Sequence, residues 1–536
     1  MTRRIVDVAF LVLCAAVAGA VSIAMGQDAN WDLQNYHFYG PWALLHGRAL
    51  DVDIAAAQLQ TYLNPLLDVP FYAMVAADWD PRAISFALAL PAGISAWLLA
   101  KIAWALFANP VARLQAGATI AAMAIGLTAA MAVGTLGMTM NDWPGTALML
   151  AALWLVVRDL AAAGRIDLPR GTVVAAGLLA GIGSGLKLTV ATFAVGLCVA
   201  LLVRPPHTRA RWREAFVFGL AVLAGLLVSY GYWAWQMWAH FGNPVFPWAN
   251  TWFGSPWWEK LPVIVRDYGP HSLSAWLEFP LRLREPRPGY VTEVAYTDAR
   301  IPLLYVLAVA AGIGALLARA IRASARAEPP PAPRLTAAWT VVAAFWGVSF
   351  LLWTEQYSIV RYIVLLEVLT GVLIVGLLRL MLRPGYADVA VTLAAVVLIA
   401  TTRWPDWWRI EHGPQWFDVK VPAMAPRPLV LIASGAPTAY VLPFFPADAR
   451  HVGVRNNINF PGRPTLMERA VADAIRTHTG SFYALQFPAG DGVADLAAHG
   501  LRPVPGGCGQ VRTNMRMSPL ELCRLERIEP PSSDAR

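Results

Sequence analysis

The side chains best suited to chemistry crowd into residues 28–72, which read DANWDLQNYHFYGPWALLHGRAL and then DVDIAAAQLQTYLNPLLDVPFY. Through Asp80 this stretch carries seven acids (Asp28, Asp32, Asp51, Asp53, Asp68, Asp78, Asp80) against one arginine, Arg48. Aromatic and amide side chains are interleaved, among them Trp31, Gln34, Asn35, Tyr36, His37, Gln58, Tyr62 and Asn64. Carboxylates beside aromatic platforms and amides suit a sugar or another polyhydroxylated ligand. Asp51 and Asp53, two residues apart, could share a divalent cation (Mg²⁺, Mn²⁺ or Ca²⁺) with a phosphate. A solvated acidic loop would show the same pattern. Lys187 stands alone inside an apolar run, and an ionisable group at that depth is a functional candidate by default.

The elements that hold these residues are membrane helices. Hydrophobic residues make up 57% of the 536 positions and charged residues 14%, against the roughly 25% charge of a soluble protein. Apolar runs near the roughly 20 residues that span a bilayer recur along most of the chain. The net charge of +8 is not a nucleic-acid footprint, because the arginines fall in short loops between apolar runs. The first apolar run is longer than a signal-peptide core of about 7–15 residues, so it reads as an uncleaved span.

Arg3 and Arg4 precede that run and place the N-terminus in the cytoplasm. Spans are expected over about 5–25, 83–107, 114–136, 144–158, 215–238, 301–321, 336–353, 359–380 and 388–402, the limits being sequence readings. Residues 172–203 lie between two basic stretches, yet two full crossings need about 40 residues. Two short helices meeting at GIGSGLKLT, 181–189, resolve this, with the glycines allowing the bend. Lys187 then lies at or just below the outer surface. The total is about eleven helices. Large outer loops cover 26–82 and 239–300, the turn MTMNDWPG places Asn141 and Asp142 outside, and the linker RASARAEPPPAPR is cytoplasmic.

After Arg403 the composition changes. Residues 415–536 hold no run long enough to span. PLVLIAS and SFYALQF read as strands, and LMERAVADAIRTHTG as an amphipathic helix stopped by Gly480. The expected organisation is a membrane domain over 1–403 and a periplasmic α/β domain over 415–536. Cys508 and Cys523 are the two cysteines outside apolar runs, and an oxidising compartment favours their disulfide.

This layout resembles the GT-C superfamily of integral membrane glycosyltransferases, which use polyprenyl-phosphate-sugar donors. The local residues behind the resemblance are WDLQNYHFY after the first span and FGNPVFPWAN after the span at 215–238. The resemblance implies an essential acid in the first outer loop, which would make Asp32 the base that takes the acceptor hydroxyl's proton. It also implies a second acidic site, for which Asp142 is the candidate. Each has a structural alternative as a helix N-cap. Lys187 and Arg361 would hold the donor phosphate, arginine matching phosphate with two parallel hydrogen bonds. An ion pair with a protein carboxylate is the alternative for each. Tyr36 and His37 are expected to contact substrate. Arg282, Arg284 and Arg300 are weaker phosphate candidates, and FGNPVFPWAN is expected to be structural, with its aromatic residues at the membrane interface.

The expected function is therefore transfer of a sugar from a polyprenyl-phosphate donor to a lipid, glycan or protein acceptor at the outer face of a bacterial inner membrane. A lipid or polysaccharide transporter and a non-catalytic envelope assembly factor are the competing expectations.

Overall fold

Apolar runs of bilayer length become helices because a buried backbone must satisfy its own hydrogen bonds. The computed structural model describes residues 2–162, 167–260, 268–287, 289–325, 337–488, 492–516 and 519–528. In chain order the apolar helices are α1 (Thr2–Met25), α2 (Pro81–Leu106), α3 (Ala112–Leu127), α4 (Asp142–Ala161), α5 (Arg170–Leu186), α6 (Ala191–Val203), α7 (Arg209–Phe241), α8 (Arg300–Ala325), α9 (Ala337–Gln356), α10 (Val364–Met381) and α11 (Pro384–Thr401). Eight are long and apolar enough to cross a membrane, and α3, α5 and α6 are shorter. The greater part of the proposed cytoplasmic linker lies outside the described residues.

The chain is a polytopic helical membrane protein with a small α/β domain. Helix α1 leaves Ile5, Val8, Val12, Leu13, Val17 and Val21 exposed, and α8 does the same with Val309, Ile313, Leu316 and Leu317. Such continuous apolar surface belongs against lipid tails. Helix α10, by contrast, is buried along most of its length and forms the centre of the bundle.

Two expectations need correction. The span foreseen over 114–136 ends at Leu127, and a separate turn runs over Ala130–Gly134. The amides of Met131 and Ala132 donate to Glu367, and that of Ala130 to Asp298, so buried carboxylates replace the helix's own acceptors. The glycines of GIGSGLKLT do not make the bend. They stay helical, and the chain turns at Lys187 to Val190 instead. Gly181 and Gly185 serve close packing of α5 on α7, while Gly183 faces Val190 and Leu148. A Cβ at Gly181 would lie 2.1 Å from the Val222 carbonyl oxygen, and one at Gly225 would lie 2.4 Å from that of Leu178. Small residues at such crossings are how membrane helices approach one another.

The C-terminal domain is a five-stranded sheet. Its strands are β1 (Leu429–Ile432), β2 (Arg450–Gly453), β3 (Phe482–Gln486), β4 (Leu501–Val511) and β5 (Leu520–Arg527), in spatial order β2-β1-β3-β5-β4. Helix α12 (Leu466–Thr477) packs Val471, Ala474 and Ile475 onto one face of it. The two parallel pairs of β1 carry the α/β half, and β5 runs antiparallel to both neighbours. Cys508 and Cys523 face one another across β4 and β5 and form a disulfide.

The loop between α1 and α2 is bound to this domain. Ile54 pairs with Val452 at the sheet's open edge, accepting from Gly453 N at 2.8 Å and donating to the His451 carbonyl at 3.0 Å. Covering an edge in this way removes unpaired backbone groups. At its other end the loop is pinned to the bundle by Asn64, whose amide donates to the carbonyls of Gly185 and Ser229, both at 3.0 Å. Phe246 of FGNPVFPWAN is buried in the same core, 5.3 Å from the Tyr62 ring, rather than at a membrane interface. The motif is structural, and its asparagines explain why: Asn243 and Asn250 are buried and bond to backbone carbonyls.

Candidate active site

Asp28 fixes the entry to the site. Its carboxylate accepts from the Asn30 amide and from both the backbone and the hydroxyl of Thr139, at 2.8–2.9 Å. That ties the start of the loop between α1 and α2 to the turn before α4. Asn30 in turn accepts from Leu33 N at 2.9 Å, and Gln34 donates to the Ala29 carbonyl at 2.7 Å. The chain then winds into a wide π-type turn over Leu33–His37. Turns of this kind recur at functional sites because they re-aim side chains.

Asp32 precedes that turn, but its side chain does not cap it. It is buried and pairs with Arg361, which stands just before α10. Burial pushes the Asp32 carboxyl up, but the charge and hydrogen bond of Arg361 lead the opposing effects and hold it below its usual range. Asp142 is likewise no cap. Asn141, in the left-handed conformation at φ 63°, occupies that position, and the Asp142 carboxylate takes Lys187. The Lys187 ammonium also donates to the Met140 carbonyl at 2.8 Å. Both anions that the sequence left open for these cations are therefore protein carboxylates. The second oxygen of Asp142 is buried without a partner among the described residues.

The two pairs share one floor. Lys187 Nζ lies 5.1 Å and the Arg361 guanidinium 5.3 Å from the centroid of the Tyr362 ring. Tyr36 and His37 stand beside them. The His37 ring lies 4.1 Å from that of Tyr36, and its Nδ1 is 2.8 Å from Asp68, which also accepts from Asn141 at 2.6 Å. With Nδ1 donating to Asp68, Nε2 of a neutral ring is a proton acceptor, and it is buried without a partner among the described residues. Burial and the Asp32 charge raise the Tyr36 phenol well above its usual value, so it remains a donor.

Six of the sequence candidates thus converge: Asp32, Tyr36, His37, Asp142, Lys187 and Arg361. Asp51 and Asp53 do not join them. Asp51 is exposed and lies 3.3 Å from His240. Asp53 is buried in the joint with the C-terminal domain, accepting from Arg48 Nη2 at 2.9 Å, Tyr39 at 3.0 Å and His451 N at 2.9 Å. Its carboxyl is held down at about 2, where the charges of His451 and Arg48 outweigh burial. A carboxylate so fully engaged does not fit a divalent cation. Cys508, Glu521 and Cys523 place ligand atoms within 4.8 Å of one another, but the two sulfurs are bonded to each other and offer no thiolate. Arg300 is a buried brace on Asp298, Thr128 and Thr402, and Arg282 pairs with Glu278 at the surface. Sequence reasoning missed Asp68 and Tyr362 as site members. Asp68 had been counted only as one acid of seven.

No family model matches the chain, and no curated protein matches it. Two solved structures are similar to it. One is ArnT from Cupriavidus metallidurans bound to undecaprenyl phosphate, at 17% identity and a TM-score of 0.42, covering 73% of this chain and 63% of that one. The match therefore takes in under two thirds of the ArnT chain. The other is the archaeal oligosaccharyltransferase AglB from Archaeoglobus fulgidus in complex with an inhibitory peptide and a dolichol-phosphate, at 12% identity and a TM-score of 0.43, covering 91% of this chain and 70% of that one. Both likenesses are distant, and no residue role is carried over from either.

Proposed function

We propose that the chain is a membrane glycosyltransferase that moves a sugar from a polyprenyl-phosphate donor to a lipid, glycan or protein acceptor. The observation that carries this reading is the pair of carboxylate–cation contacts, Asp32–Arg361 and Asp142–Lys187, meeting over the Tyr362 ring. Two buried cations side by side would repel, and each is held by an acid that can be exchanged for a stronger anion. A donor phosphate would bridge Arg361 and Lys187 and loosen their hold on the acids. Asp32, released from Arg361, would take the proton of the acceptor hydroxyl. The acceptor oxygen would bond to the anomeric carbon while the bond from that carbon to phosphate oxygen breaks. The leaving polyprenyl phosphate would keep its negative charge against the same two cations. His37, fixed by Asp68, would orient the sugar or acceptor through Nε2.

The site lies at the end of the bundle that carries the first outer loop and the C-terminal domain. With the N-terminus in the cytoplasm, that end would face the periplasm of a bacterial inner membrane. The test is transfer of radiolabelled sugar by purified protein from a panel of polyprenyl-phosphate donors, with Asp32→Asn as the control. Transfer from at least one donor, lost in the variant, supports the reading. Tight donor binding with no transfer from any of them would point to an assembly factor instead.

A further inference from the structure

A second charged cleft lies away from the ion-pair site, at the outer end of α1. It is an open depression of about 650 Å³, walled by the end of α1 from Ile23 to Met25 and by Arg82 at the start of α2. Arg82, Arg409 and Arg516 line it with His412, against one carboxylate, Glu411. The arginines are differently committed. Arg409 is a brace: its guanidinium donates to the carbonyls of Gly26 at 3.1 Å and of Leu136, closing the two-residue ribbon that pairs Gln27–Asp28 with Arg409–Ile410. Arg516 donates to the Arg409 carbonyl at 2.8 Å and lies 3.7 Å from Asp406, with 46% of its side chain exposed. Arg82 is exposed and has no ion-pair partner among the described residues. His412 Nε2 sits 3.0 Å from the Ser85 hydroxyl. Burial first and then the Arg82 charge push the imidazole below its usual value; Asp80 opposes them, and Arg409 adds a smaller downward push.

We infer that this cleft binds the phosphate headgroup of an anionic membrane lipid. Three features favour a lipid over an anion free in solution. The cleft is continuous with the exposed apolar face of α1, where acyl chains would lie. Two of its arginines point out with donors to spare, and a guanidinium matches a phosphate with paired hydrogen bonds. Arginines close to a membrane surface attract anionic headgroups. The bound lipid would also brace the ribbon behind it, and that ribbon leads through Asp28 to Asp32. The lipid is thus a positioning element for the first outer loop and is separate from the donor.

The experiment uses the full chain in nanodiscs of phosphatidylcholine with a rising fraction of phosphatidylglycerol. Thermal unfolding of the wild type should shift upward with phosphatidylglycerol, and native mass spectrometry should show that lipid retained. Arg82→Gln/Arg516→Gln should lower apparent affinity for phosphatidylglycerol about twenty-five-fold, at roughly fivefold per arginine removed. Arg82→Gln alone removes no contact seen in the fold, so it reports on the lipid even if the double variant folds poorly. Arg476→Gln/Arg502→Gln, two exposed arginines of the C-terminal domain that do not line the cleft, should keep the full preference. Equal stabilisation by both lipids, or a preference unchanged in Arg82→Gln, overturns the inference. So does inorganic phosphate reproducing the whole shift in pure phosphatidylcholine.

Discussion

Lys187, in the turn between α5 and α6, and Arg361, just before α10, lie over the same aromatic ring, at 5.1 and 5.3 Å from the centroid of Tyr362. Each is held by its own carboxylate, so the site is electrically balanced before any substrate arrives. In the proposed reaction a donor phosphate would compete with Asp32 and Asp142 for these cations.

Breaking one pair should be costly. Lys187→Met strands Asp142, whose other oxygen is already without a partner, and is expected to destabilise the protein by about 3–5 kcal/mol. Lys187→Met/Asp142→Leu should recover most of that loss. Thermal unfolding of both in detergent decides the matter, and an unchanged midpoint in Lys187→Met would remove the pair from the account of stability.

Asp32→Asn separates chemistry from binding. Turnover should fall roughly 10²–10⁴-fold with loss of the base. Donor affinity should be kept or improved, because Arg361 is freed from its competitor. A variant that turns over normally but binds donor poorly would assign Asp32 to the phosphate site rather than to proton transfer.

The joint between the α1–α2 loop and the C-terminal domain should depend on acid. Asp53 titrates at about 2 in the folded protein against about 4 when unfolded. Its contribution, on the order of 2–3 kcal/mol, is then complete above pH 4 and fades as pH falls toward 2. Hydrogen exchange at residues 451–454 should stay slow at pH 4 and quicken below about 3. In Asp53→Asn it should be fast at both.

Orientation is checked by single cysteines at exposed positions. Asp51→Cys and Ala447→Cys should react with an impermeant thiol reagent from outside, and Thr208→Cys only after permeabilisation. Labelling of position 208 from outside would invert everything beyond α5.

The helices were legible because their signal is local: apolar length and flanking arginines mark each one. The site was legible by type but not by pairing. An isolated lysine in an apolar run must have an anion nearby, yet which anion depends on how α4 lies against the α5–α6 break, and no local pattern encodes that. The loop acids misled for a related reason. Asp51 and Asp53 share a spacing, but one faces solvent while the other is drawn by Arg48 and His451 into a joint with a domain some 400 residues away, a separation of 398 positions. The glycines of 181–185 were read as a hinge because glycine permits bending. At Gly181 and Gly185 the missing side chains serve instead the approach of α7, and only the neighbouring helix could reveal that.

The covered edge of β2 sets a timetable for synthesis. His451 is made 398 residues after its partner Asp53, which at about 5–20 residues per second is a wait of roughly 20–80 s. During that interval the loop between α1 and α2 has been made and the strand it will cover does not yet exist. Arg48 and Asp53 are only five residues apart and can pair at once, leaving this part of the loop folded back on itself with Asp53 neutralised. The late-arriving domain then docks on a half-built seam rather than on a disordered chain. An organism that slowed translation through the last third of this message would be lengthening the period in which that seam stands open to proteases.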